Sequence, residues 1–172
     1  MSRDQWLILA SAVIPLALIA VGMVVGWRAR RRRQADVVRP PSPPADLGEV
    51  VLVEDLLYVA TTRADAPLDR IVVAGLGFRA RAVLTVASSG IQLELAGASA
   101  IFLPASSLHG VGRATWTIDR VVSNDGLVFV RWSNGDGDTT ALDSYFRSSD
   151  PRQLVDAIER LTPAGAATGA AA

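Results

Sequence analysis

The chain has no cysteine and no lysine, and its only histidine is His109. Without thiols it can form no disulfide, no thiolate metal site and no cysteine nucleophile. With one imidazole it can assemble neither a two-histidine metal site nor a nucleophile–base arrangement richer than a single Ser–His contact. All 17 basic residues are arginine, balanced by 17 acids. The balance is segregated, however. Residues 1–48 carry 7 Arg against 3 acids, a net of +4, whereas residues 49–162 carry 10 Arg against 14 acids, a net of −4. A net-acidic folded part argues against nucleic acid as a partner, because phosphate neutralisation needs a basic face.

Charge is missing altogether from Trp6 to Trp27. A helix of that length rises about 33 Å, against a hydrocarbon thickness of about 30 Å. Trp6 and Trp27 stand at its two ends, where indole favours the headgroup region. Pro15 lies mid-span, and Gly22 and Gly26 form a small-xxx-small pair able to bring a neighbouring helix close. Arg28, Arg30, Arg31, Arg32 and Arg33 follow the span, while Arg3 precedes it beside Asp4. The positive-inside tendency then puts residues 1–5 outside and everything after Arg28 in the cytoplasm, at the plasma membrane. A cleaved secretory signal would show the reverse charge order and a shorter apolar core. The five arginines also suit anionic headgroups.

Residues 28–48 read as a basic flank and a linker, with Pro40, Pro41, Pro43 and Pro44 favouring an extended spacer of up to about 45 Å over its last 15 residues. The Ala/Gly-rich end, residues 163–172, reads as a disordered tail. Between them, residues 49–162 form short apolar runs: Val50–Val53, Leu56–Thr62, Ile71–Val73, Ala82–Ala87, Ile91–Leu95, Ala100–Leu103, Thr115–Val122, Leu127–Ser133 and Thr139–Phe146. Turn residues separate them, notably Ser88-Ser89-Gly90, Asn124-Asp125-Gly126 and Asn134 to Asp138. One helix follows. Asp150 caps it, Pro151 opens it, Gln153 is placed to complete a capping box, and Leu154, Val155, Ile158 and Leu161 line one face. The expectation is a mainly β domain, a small barrel or sandwich of about seven strands with a C-terminal capping helix.

That order of elements resembles the pleckstrin-homology-like (PH-like) superfold. Thr115-Trp116-Thr117-Ile118-Asp119-Arg120, Asp125-Gly126-Leu127, Arg131-Trp132 and Leu142-Asp143-Ser144-Tyr145-Phe146-Arg147 are similar to small actinobacterial single-pass membrane proteins with a bacterial PH-like domain. The resemblance implies an anchored binding module. The basic basket of phosphoinositide-binding PH domains has no counterpart, since Arg63 to Arg70 holds as many acids as bases.

Several motifs carry chemistry on paper. Gly75-Leu76-Gly77-Phe78-Arg79-Ala80 matches a dinucleotide fingerprint, but that mechanism needs a helix to start at the glycines, and β-favouring Val83, Thr85 and Val86 follow instead. A turn or bulge explains it. Asn134, Asp136 and Asp138 begin like a calcium loop that lacks its sixth-position glycine and its final glutamate. His109, beside Ser106 and Ser107 in a segment of loop character, reads as an ordinary satisfied histidine. Trp116 and Trp132 read as core. Arg79 and Arg81 share a strand face, and Tyr145 and Phe146 alternate, so one is buried and the other is free for contact. These four are the candidate partner contacts. No catalytic set, cofactor, metal or small-molecule substrate is indicated. The reading is a non-catalytic membrane-anchored module presenting a cytoplasmic domain to a protein. The alternative is an accessory subunit of a membrane complex or transporter acting through the span.

Overall fold

The computed structural model describes residues 3–34, 37, 39–64, 66–73, 75–114, 116–117, 120–121, 127–133 and 141–162. It comprises two compact units, Met1–Asp36 and Val37–Ala172.

The first unit is a helix, α1 (Arg3–Arg33), that continues unbroken through Pro15. Its described apolar side chains, among them Leu16, Leu18, Ile19, Val21, Met23 and Val25, are exposed. Among the described residues no helix is long and apolar enough to cross a membrane. Helix side chains are described over 13–29, so Trp6 and the side chains of Arg30, Arg31 and Arg33 lie outside that stretch.

The second unit runs β1 (Val50–Arg63), β2 (Ala66–Arg70), β3 (Ala80–Ala87), β4 (Gly90–Leu95), β5 (Ile101–Pro104), a 3-10 turn, β6 (Leu108–Ala114), β7 (Trp116–Thr117), β8 (Arg120–Val121), β9 (Leu127–Ser133), β10 (Ala141–Arg147) and α2 (Pro151–Glu159). Eight strands make one antiparallel sheet in the order β5-β4-β3-β1-β10-β9-β6, with β2 added to β1, while β7 and β8 pair separately. Ile101 and Leu103 at one end of that order share a core with Leu108 at the other, and with Leu154, Ala157 and Ile158 of α2. The sheet therefore folds round one core, yet it stays open. The expected closed barrel or sandwich is corrected here: the backbone N–H of Phe102 on β5 donates to the Pro41 carbonyl (2.9 Å), so the preceding chain takes that edge. Val37 and Pro40 are buried as well.

Two runs expected as separate strands are one. Glu54 and Asp55 do not break β1, because Asp55 stays exposed while the Glu54 carboxylate accepts from Ser148 Oγ (2.6 Å) and from Ser149 N (2.9 Å) and Oγ (3.0 Å). Ile71–Val73 is not a strand. Ile71 and Leu76 instead fill the core from the β2–β3 connection. Thr115–Val122 is described only at the short β7–β8 pair. At α2, Asp150 Oδ1 accepts from Gln153 N (3.1 Å), as a cap should. The capping box is not completed by Gln153, since Ser148 Oγ accepts from the Asp150 N–H (3.0 Å).

A polar chain threads the core. Trp132 Nε1 donates to Ser144 Oγ (2.9 Å), which lies 2.7 Å from Thr61 Oγ1. Thr61 Oγ1 is in turn 2.8 Å from Tyr58 Oη, which donates to the Leu76 carbonyl (3.0 Å). Buried hydroxyls in such a chain satisfy one another, so removing one leaves its neighbours short. Burial drives the Tyr58 phenol pKa well above its ordinary value, with the Thr61 bond and Arg70 opposing weakly. The unfolded chain therefore releases this proton first, and stability should fall as pH rises above about 10. Tyr58→Phe should cost about 1–3 kcal/mol at neutral pH. It should also flatten the alkaline limb of a urea-midpoint-versus-pH series, and an unchanged limb would remove Tyr58 as its source.

Candidate protein-binding surface

β1 is the joint of the sheet. Its first part pairs with β3 and its last part with β10, and only Leu57 and Tyr58 are flanked by both. Tyr58 points into the core, so Leu57, next in the pleat, points outward and is half-buried. Arg81 of β3 and Arg147 of β10 are its direct cross-strand neighbours. Both are exposed. Among the described residues neither side chain makes a hydrogen bond or an ion pair. The three side chains line a groove of about 600 Å³ with Asp55, Ser148 and Ser149. Beyond Arg81 a second hollow of about 330 Å³ is lined by Asp55, Val83 and Glu94.

The Glu54–Ser148–Ser149 cluster fixes the chain immediately after Arg147, so this arginine leaves the sheet from an anchored base. Arg131 and Arg63 of the sheet, by contrast, are already engaged. Arg131 grips the buried Asp143 with two bonds, Nε to Oδ1 at 2.8 Å and a second to Oδ2 at 2.9 Å, a geometry suited to guanidinium and carboxylate. Arg63 Nε pairs with Asp69 at 2.9 Å.

Of the four expected contact residues, Arg79 and Arg81 are exposed and Phe146 is buried in the core against Tyr58, ring centres 6.0 Å apart. Tyr145 is only half-buried, packed near Phe129 in a small apolar cluster with Val59, Ala60 and Leu127. Burial first and the Asp143 charge second raise its phenol pKa. The structure thus brings Arg81 together with Leu57 and Arg147, and does not bring Tyr145 into that groove. Leu57 lay unremarked inside the run Leu56–Thr62, and Arg147 appeared only as the last residue of the segment Leu142–Arg147 that carried the family resemblance.

The remaining motifs resolve structurally. In the fingerprint-like segment Gly75 has φ +85, Leu76 is fully buried, and strand β3 follows where a phosphate-binding helix would have to begin. Tyr58 holds that turn through the Leu76 carbonyl. His109 sits on strand β6, not in a loop, with Nε2 2.8 Å from Ser133 Oγ on β9. Ser107 is no partner to it, since its hydroxyl donates to the Pro104 carbonyl. Trp132 is core. The side chain of Trp116, the Asn124–Gly126 turn, Asn134, Asp136 and Asp138, and the tail from 163 lie outside the described residues.

A profile of the bacterial PH domain-like family matches residues 37–162. The chain belongs to the bacterial PH domain-like family. The match starts at Val37, where the second compact unit starts. Membership suggests a non-catalytic binding module; the C-terminal helix agrees with the expectation, whereas the main sheet has eight strands where about seven were expected. No curated protein matches the chain.

Proposed function

We propose that this bacterial PH-like protein is a membrane-anchored, non-catalytic adaptor: residues 6–27 cross the bilayer, and the domain engages a protein in the cytoplasm. The observation that carries the domain half is the open Arg81–Leu57–Arg147 groove. It offers two accessible guanidinium groups around an apolar floor, the mixture that protein interfaces favour. The anchor half is supported by the uncharged stretch between Trp6 and Trp27 and by apolar side chains exposed along α1. A helix with exposed apolar side chains on every side suits lipid better than water.

A second reading has its own support. Gly22 and Gly26 lie one turn apart, and a Cβ added at either would meet nothing within 4 Å. That leaves a smooth strip against which another membrane helix can pack, as an accessory subunit would require.

Orientation tests the anchor directly. With five arginines after the span and one before it, a C-terminal green fluorescent protein fusion should fluoresce and a C-terminal alkaline phosphatase fusion should be inactive. An active phosphatase would place the domain outside and end the adaptor reading. Proximity labelling in the native host separates the two readings: labelling that survives replacement of the span by an unrelated one supports the adaptor, and labelling that follows the native span supports the subunit.

A further inference from the structure

Resting on that adaptor reading, we infer that the β3–β1–β10 groove recognises an extended acidic segment of a partner protein, with carboxylates on Arg81 and Arg147 and an apolar residue on Leu57. Arg81 and Arg147 both stand opposite Leu57, so their Cα atoms are two strand spacings apart, about 10 Å. In an extended peptide alternate side chains face one way, and residues four apart are separated by about 13–14 Å. The long arginine side chains on either side of Leu57 can reach that spacing, which gives the pattern acid-x-apolar-x-acid. Guanidinium grips carboxylate with paired, charge-assisted bonds.

The surroundings decide between a peptide and a lipid surface. Asp55 lies on the outer face two residues before Leu57, and Glu94 lines the hollow on the far side of Arg81. A bilayer of anionic headgroups would press negative charge onto both carboxylates, and the domain's own net charge is −4 over residues 49–162. A peptide can present its acids to the arginines and a neutral or basic residue to Asp55. The groove therefore selects a pattern of charge and rejects a uniform negative field.

The test uses the full chain in neutral detergent micelles and a fluorescein-labelled peptide containing glutamate-alanine-leucine-alanine-glutamate. The same peptide with glutamine for glutamate serves as control, and binding is read by anisotropy. Arg81→Gln with Arg147→Gln should weaken binding of the glutamate peptide at least tenfold. Arg152→Gln with Arg160→Gln, which removes the same charge from exposed positions on α2 and just after it, should change it less than twofold. The glutamine peptide should bind no better than the groove variant does. Equal losses from the two arginine pairs would overturn the proposal in favour of diffuse electrostatics. So would displacement of the peptide by short-chain phosphatidylglycerol at concentrations where short-chain phosphatidylcholine has no effect, which would assign the arginines to a lipid headgroup. Unchanged melting of both variants confirms that folding is not the cause. If no glutamate peptide binds while proximity labelling still depends on the domain, the groove assignment falls and the adaptor reading stands. If the labelling follows the span alone, both fall.

Discussion

Replacing Trp132 by alanine is expected to destabilise the domain by about 3–5 kcal/mol, the usual cost of emptying a large aromatic site. The indole is fully buried, its cross-strand partners are Leu142 on β10 and Leu108 on β6, and Ser144 of β10 holds its Nε1, so no single loop can collapse into the space. The loss is chemical as well as steric. Nε1–H is the terminal donor of the chain through Ser144, Thr61 and Tyr58, and its removal leaves the Ser144 hydroxyl without that donor in the core. Set against a typical stability of 5–15 kcal/mol, the change consumes a large share. A urea titration should show the midpoint falling by about 1–3 M, and a shift below about 0.5 M would mean that Trp132 is not packed as described. Trp132→Phe should recover part of the volume but not the hydrogen bond, and so should fall between the two.

The second large effect is expected at Gly90, the residue that closes the β3–β4 hairpin. Its φ is +150, which L side chains rarely adopt, and a Cβ there would lie 2.2 Å from the Leu103 carbonyl oxygen and 2.9 Å from Pro104 Cα. Both obstacles belong to the backbone of β5, so no side-chain rotation relieves them. Gly90→Ala must push β5 away from β4 or distort the hairpin, at a cost of about 3 kcal/mol or more. The melting temperature should drop by more than about 10 °C. Gly97→Ala is the comparison: φ is +82 there, yet nothing lies within 4 Å, so only the backbone penalty remains. Equal effects at the two glycines would show that the close approach to β5 contributes nothing.

What could be read beforehand follows from where the signal resides. β9 was legible at its full length because Leu127–Ser133 is a mainly apolar run broken by Arg131, and α2 because Asp150, Pro151 and the stripe of Leu154 and Ile158 are local. β6 was not legible. Its sequence, Leu-His-Gly-Val-Gly-Arg-Ala, holds two glycines that look like loop. Gly112 is there because the Phe129 ring lies across it, and an added Cβ would come within 2.7 Å of the ring. That reason sits on the neighbouring strand, so no window of sequence around Gly112 contains it. The groove was half legible for the same cause. Arg81 could be singled out as an exposed strand cation, but its meeting with Arg147 depends on two registers that share Leu57, one spanning about 24 residues and the other about 90.

The proline-rich segment has a consequence for how this protein stays apart from its own copies. An outermost strand offers unpaired N–H and C=O groups to any other chain, and proteins guard such edges with prolines, charges or covering loops. Here Pro41 accepts from Phe102 on β5, and Leu47 accepts from Ser89 at the β3–β4 turn. The residues that resemble a mere spacer thus act as a hem along the sheet. Proline has no N–H to offer a further strand, so the added segment ends the ladder where any other sequence would invite its continuation. A fragment trimmed back to residue 49 would carry β5 bare, and its fate in solution would be decided by edge-to-edge association as much as by the stability of its core.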